Sequence, residues 1–120
     1  MQPRKVLVVD DSKLMHKMYE VMLGRYPLLY AVDGRVALEH LTNHPDIDLV
    51  LLDLNTPNMS GLEFLEEIGG REQAARLRII IVSSEGNDAD VARGLELGAR
   101  DVIKKPFSAQ ELLDKIANLA

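Results

Sequence analysis

The sequence contains no cysteine and no tryptophan, and only 4% of its 120 residues are aromatic. Without cysteine there is no disulfide scaffold, no thiolate metal site and no cysteine nucleophile, and the chain suits a reducing compartment. Basic residues are the minority, since 14 Lys and Arg stand against 19 Asp and Glu, a formal net charge of −5. Surfaces that hold nucleic-acid backbones carry a basic surplus, so direct nucleic-acid binding is not expected. Long apolar runs are also missing. Leu49–Leu52 and Ile79–Val82 fall far short of the roughly 20 residues a membrane span needs. Met1-Gln2-Pro3-Arg4-Lys5 leads straight into a strand-like run, without the apolar core or cleavage site of a secretory leader. Together these absences predict a soluble, cytoplasmic protein with no membrane partner. A length of 120 residues predicts one domain over 1–120, able to bury about two-thirds of its unfolded surface without a staple.

What is present is a switching hydrophobic period. Val6-Leu7-Val8-Val9, Leu49-Val50-Leu51-Leu52, Ile79-Ile80-Ile81-Val82 and Val102-Ile103 are short apolar runs without polar alternation, the pattern of strands buried on both faces. Leu28-Leu29-Tyr30-Ala31-Val32 is a weaker fifth candidate. Between them lie segments of helical spacing. The first carries Leu14, Met15, Met18, Val21 and Met22 as its apolar face, with Gly24 placed to end it. The second, after the turn pair Asp33-Gly34, has Ala37, Leu38 and Leu41. The third opens with the capping-box pair Ser60 and Glu63 and carries Leu62, Leu65 and Ile68. The fourth has Val91, Ala92 and Leu95 before Gly98, and the last repeats a capping box, Ser108 and Glu111, ahead of Leu112, Leu113 and Ile116. Five βα units predict a doubly wound, flavodoxin-like α/β domain, a five-stranded parallel sheet in the order 2-1-3-4-5. Ligands of such sheets bind outside the carboxyl ends of the strands, where strands 1 and 3 lie side by side.

Polar residues follow the apolar runs at that edge. Asp10 and Asp11 close strand 1, Asp53 closes strand 3, Ser83 ends strand 4 and Lys105 lies just past strand 5. Taken singly, an Asp after a strand is a turn former or helix cap and a Lys before Pro is a solvated residue. Gathered at one edge, they predict a site. Converging carboxylates repel one another unless a cation joins them or their pKa values rise. Oxygen donors with no His or Cys beside them suit Mg²⁺ or Mn²⁺, with the backbone carbonyl of Asn55 as a further ligand. Such a metal neutralises an incoming phosphoryl group and leaves Asp53 free to attack phosphorus. Lys105 then pairs with one phosphoryl oxygen and Ser83 hydrogen-bonds another. Ser84 points the opposite way along the strand. His16, His40 and His44 show no ligand spacing and read as solvated helix positions, while Asp46 and Asp48 fall at the amino edge, away from the site.

These residues, in order, give the sequence a family resemblance. Val8-Val9-Asp10-Asp11-Ser12, Asp53-Leu54-Asn55-Thr56-Pro57-Asn58-Met59-Ser60-Gly61, Val82-Ser83-Ser84-Glu85, Gly98-Ala99-Arg100-Asp101 and Lys105-Pro106-Phe107 resemble the receiver domain of bacterial two-component response regulators, most closely the single-domain chemotaxis type. The resemblance runs essentially end to end. It implies a phosphorelay switch in which Asp53 accepts a phosphoryl group from the phosphohistidine of a histidine kinase or histidine phosphotransfer protein. It also implies Mg²⁺ on Asp11, Asp53 and the Asn55 carbonyl, with Asp10 acting through a bound water. Ser83 and Lys105 become phosphoryl contacts, and Lys105-Pro106 is expected to be cis. The output surface of the family is formed by the fourth helix, the last strand and the last helix, and it engages an output protein or a fused output domain. The expected assembly is a monomer or a phosphorylation-dependent dimer. One departure stands out: the last strand has Val102 where the family usually has Tyr or Phe. Asn55 and Glu85 flank the site and are placed to tune phosphoryl lifetime. By position, Lys13, Leu14 and the Lys105–Ser108 loop form the docking face for the phosphodonor.

Two other readings stay open on the sequence. A haloacid-dehalogenase-like phosphatase would share the strand-end Asp, Mg²⁺, hydroxyl and Lys, but it needs a second Asp where this chain has Asn55 and a cap for which there is no room. A degenerate receiver would bind a partner without phosphorylation, and Val102 is the argument for it. A flavodoxin would carry a Ser/Thr/Gly-rich phosphate loop where Asp10-Asp11 stands.

Overall fold

Strands that must bury both faces can do so only between two layers of helix, and that is how the chain is arranged in a computed structural model describing residues 1–84 and 86–120. The strands are β1 (Val6–Val9), β2 (Leu28–Ala31), β3 (Leu49–Asp53), β4 (Arg78–Ser83) and β5 (Asp101–Lys104). Helices α1 (Lys13–Met22), α2 (Gly34–Asn43), α3 (Gly61–Ile68), α4 (Asp88–Glu96) and α5 (Ala109–Ala117) alternate with them, and a short 3₁₀ turn at Glu72–Arg76 precedes β4. All pairings are parallel and the order is β2-β1-β3-β4-β5, the winding expected from the sequence.

The two-residue period of a strand divides the core. Leu7, Val9, Val50, Leu52, Ile79 and Ile81 face one side and pack with Ala37, Leu41, Phe64, Leu65 and Ile68 of α2 and α3. Val6, Val8, Leu49, Leu51, Ile80 and Val82 face the other and meet Tyr19, Leu23, Leu112 and Ile116 of α1, its end and α5. A buried aliphatic side chain of this kind contributes roughly 1.5–3 kcal/mol. Register places Val9, Leu52 and Ile81 side by side at the top of the sheet, so the residues after them emerge together.

Both sequence-predicted capping boxes form: Ser60 and Ser108 accept from the backbone N–H of Glu63 and Glu111, whose carboxylates return to the cap N–H groups. Ser12 caps α1 and Asp33 caps α2. Gly98, at φ +116°, ends α4 where a side chain would be strained. Gly24 follows α1 for a different reason, because a Cβ there would lie 2.7 Å from the Glu20 carbonyl oxygen.

Two helix faces differ from the sequence expectation. On α1, Leu14 (70% exposed), Met18 (38%) and Val21 (87%) point outward, while Tyr19 and Leu23 enter the core. The helix carries two apolar stripes and the sheet takes the one with the larger aromatic. On α4, Leu95 is 43% exposed and Ala92 is exposed, whereas Gly94 is buried against Ile81. A close helix–sheet approach at Gly94 turns the apolar side chains to the flanks.

Candidate functional site

The sheet delivers its polar residues to one edge because each strand ends at the same height. The carboxylates of Asp10, Asp11 and Asp53 each offer an oxygen within 4.8 Å of the others. Asp10 is buried, Asp53 half-buried and Asp11 exposed, so the cluster opens to solvent through Asp11. Asp10 Oδ1 accepts from the Ser12 N–H at 2.8 Å, an Asx turn that starts the loop into α1. Asp53 Oδ1 accepts from the Asn55 N–H at 3.0 Å. Lys105 reaches both: Nζ lies 3.2 Å from Asp10 Oδ2 and 3.5 Å from Asp53 Oδ2. Its backbone N–H bonds the Ser83 carbonyl at 2.7 Å, fixing the β5–α5 loop to the end of β4, and the Lys105–Pro106 peptide is cis.

The charges do not balance. Among the described residues one ammonium faces three carboxylates, leaving two negative charges in a part-buried pocket. Burial raises the Asp53 pKa above the usual carboxylate range; the Asn55 N–H and Lys105 pull it down, and Asp10 adds a further upward push. Tyr19 packs beneath, its ring 6.1 Å from that of Phe107, and burial together with the charges of Asp10 and Asp53 pushes its phenol far up. Ser83 Oγ is fully buried, with no hydrogen-bond partner among the described residues. A buried hydroxyl left unpaired costs about 1–3 kcal/mol unless a ligand completes it. The donor set fits a hard divalent cation: carboxylate oxygens and no sulfur or imidazole nitrogen in the cluster.

The structure thus brings together Asp10, Asp11, Asp53 and Lys105, with Ser83 at the neighbouring strand end. Asn55 is exposed, next to Asp53, and Ser84 is exposed beyond Ser83. Asp46 and Asp48 lie at the opposite edge: Asp46 pairs with Lys5 at 2.9 Å and Asp48 accepts from the Arg4 N–H at 3.0 Å. Glu85 lies outside the described residues. Val102 is half-buried and packs against the core that faces α2, α3 and α4.

The histidines refine the sequence reading, because all three are half-buried and each has a polar partner. His16 Nε2 is 2.6 Å from the Asp10 carbonyl and its ring stacks on Tyr30 at 4.6 Å. His40 Nε2 meets the Tyr30 carbonyl at 2.9 Å, and His44 Nδ1 lies 3.4 Å from Lys5 Nζ. Asp33 does more than form half of a turn pair. It is buried, caps α2 through Val36 and accepts from Asn58 Nδ2 at 2.9 Å. That bond ties down the loop after β3, at the one non-glycine residue with positive φ among the described residues, 63°. Asn58 and its hydrogen bond hold Asp33 below its usual carboxylate pKa.

Comparison with known proteins agrees with this geometry. The family model "Response regulator receiver domain" matches residues 6–117. The chemotaxis protein CheY homolog of Campylobacter jejuni is 34% identical over 118 residues, covering 96% of this chain and 91% of the relative. Among solved structures, CheY4 of Vibrio cholerae superimposes with a TM-score of 0.89 at 29% identity, over 99% of this chain and 100% of that one. The receiver domain of NtrX from Brucella abortus gives a TM-score of 0.83 at 28% identity, covering 93% and 94%.

Proposed function

The chain belongs to the response regulator receiver domain family of two-component signalling, and from that premise we propose that Asp53 is its phosphoacceptor. The observation that carries the reading is the unbalanced pocket: among the described residues, three carboxylates within 4.8 Å, one ammonium and a buried hydroxyl without a partner. An Asp53 carboxylate oxygen attacks the phosphorus of a phosphohistidine. The new O–P bond forms as the donor's N–P bond breaks, and the electron pair of that bond returns to the imidazole. Asp10, Asp11, Asp53 and the Asn55 carbonyl are the residues that would hold Mg²⁺ or Mn²⁺. When bound, the ion supplies charge neutralisation for the phosphoryl oxygens. Lys105 holds Asp53 in place before transfer and pairs with a phosphoryl oxygen after it, while the Ser83 hydroxyl completes its hydrogen bonding on another. This is a switch acting on itself and not a turnover enzyme.

Residues 1–120 are read as one receiver domain working in the cytoplasm; among the described residues no helix is long and apolar enough to cross a membrane. A phosphoryl group adds about −1.5 to −2 charges, drawing Ser83 and its loop inward and changing the α4–β5–α5 face toward an output protein or fused output domain. Val102, smaller than an aromatic, transmits that shift through the core against which Val91 and Leu97 also pack. The donor, a histidine kinase or phosphotransfer protein, docks on α1. Leu14, Met18 and Val21 are exposed there, beside a groove of about 360 Å³ lined by Met15, Met18, Lys105, Pro106 and Phe107. Leu14→Ala is expected to slow transfer from the protein donor but not from acetyl phosphate; equal slowing of both would count against the docking face.

Incubation with acetyl phosphate and Mg²⁺, read by intact mass, tests the whole. One added phosphoryl group is expected in the native chain and none with Asp53→Asn or EDTA. A chain labelled by neither acetyl phosphate nor a partner kinase would be a phosphorylation-independent binding module.

A further inference from the structure

The three carboxylates of the pocket are not held alike. Asp10 is tethered through Ser12 and Lys105, and Asp53 through Asn55 and Lys105. Among the described residues no hydrogen bond or ion pair reaches the Asp11 carboxylate, which is exposed. Only its backbone therefore constrains where it can reach. The Asp10–Asp11 peptide is a plane, so the direction of the Asp10 carbonyl fixes the N–H and Cα of Asp11. That carbonyl is gripped by His16, whose Nε2 lies 2.6 Å away. A carbonyl only accepts, so Nε2 carries the hydrogen.

His16 is itself braced twice. Its backbone N–H bonds the Ser12 carbonyl at 3.1 Å in the first turn of α1. Its ring stacks on Tyr30 with centroids 4.6 Å apart and planes at 27°. Tyr30 in turn pairs with Val8 in the sheet, and its carbonyl meets His40 Nε2 at 2.9 Å. On the other side, the Asp10 N–H bonds the Ala31 carbonyl at 2.9 Å. Asp10 is thus clamped at both of its backbone groups, by β2 on one and by His16 on the other.

We propose that His16 is a positioning residue of the acidic pocket: by pinning the Asp10 carbonyl, it aims Asp11 at the position a divalent cation takes. The inference rests on the metal-pocket reading above. Partners that orient metal ligands from behind typically affect metal affinity about 10–100-fold when lost.

Three proteins separate this role from packing: the native chain, His16→Phe and His16→Gln. Phe keeps an aromatic ring against Tyr30 but has no donor, whereas Gln keeps an N–H that reaches a carbonyl but loses the ring. Mg²⁺ titrations followed by amide NMR are expected to show roughly tenfold weaker binding for His16→Phe and most of the native affinity for His16→Gln. In the metal-free protein, the Asp11 amide should exchange faster in His16→Phe alone. If His16→Phe does not fold, His16→Leu, also without a donor, takes its place with the same expectation. Native Mg²⁺ affinity in the donor-less variant, or equal weakening in both variants, overturns the positioning role. A native chain that does not respond to Mg²⁺ at all overturns the metal-pocket reading instead.

Discussion

The two edges of the sheet use the same residue type for opposite ends. At the amino edge, Asp48 accepts from the N–H groups of Arg4 and Lys5 and Asp46 pairs with Lys5. Lys5 holds the Asp46 carboxyl below its usual pKa. Both aspartates there are matched, and the edge is finished as it stands. At the carboxyl edge, Asp10 and Asp53 share Lys105 and burial raises Asp53, while among the described residues Asp11 has no ion pair and Ser83 Oγ no hydrogen-bond partner. That edge is left with excess negative charge and an unpaired hydroxyl among the described residues. A site is therefore marked less by which residues it contains than by what their surroundings leave unsatisfied.

The largest effect should come from deepening the imbalance. Lys105→Ala removes the one ammonium of the pocket, and phosphorylation by acetyl phosphate should slow roughly 10²–10³-fold, as when a preorganised charge contact is lost. Measured labelling rates at saturating Mg²⁺ check this, and a native rate would remove Lys105 from the chemistry.

Asp33→Ala tests a tie that the carboxyl edge does satisfy. Losing the cap and the Asn58 bond should cost about 1–2 kcal/mol. Because the folded pKa of Asp33 is lowered, its contribution is full above the usual carboxylate range and is lost as pH falls through the lowered value. Melts of native and variant chains should converge in acid.

Opposite signs are expected for two like substitutions on the two edges. Asp48→Ala should destabilise by about 1 kcal/mol through the lost backbone bonds. Asp53→Asn should stabilise the metal-free protein by on the order of 1 kcal/mol, by removing a charge that burial disfavours. The pH dependence has a definite direction. The folded Asp53 carboxyl titrates above its unfolded value, so its stabilising contribution is full in acid and is lost as pH rises through the raised value. Thermal melts in EDTA should coincide for native and Asp53→Asn chains at low pH and separate toward neutrality, with Mg²⁺ raising the native midpoint only. Asp46→Asn, exposed at the satisfied edge, should leave the midpoint unchanged within error.

The strands were legible because Val6–Val9, Leu49–Leu52 and Ile79–Val82 are buried on both faces and so lack polar alternation. The site followed, since Asp10, Asp53 and Ser83 directly succeed those runs and a parallel sheet ends its strands together. The faces of α1 and α4 were not legible. Leu14, Met18 and Val21 share a helical period with core residues, and periodicity does not say which of two stripes meets the sheet. At Gly94 the buried residue has no side chain to give a signal. His16 escaped for another reason. Its partner is a backbone carbonyl, which every residue owns, so only the distance reveals the contact. Asn58 and Asp33, 25 residues apart in sequence, meet for the same spatial reason.

The most direct test asks which atom carries the phosphoryl group. The protein, phosphorylated by acetyl phosphate with Mg²⁺, is reduced with borohydride, which converts an acyl phosphate to homoserine, and is then mapped by peptide mass spectrometry. Homoserine at Asp53 and nowhere else is the expected result. Reduction product at Asp10 or Asp11, or none in a chain that has gained a phosphoryl group, would contradict the assignment of Asp53.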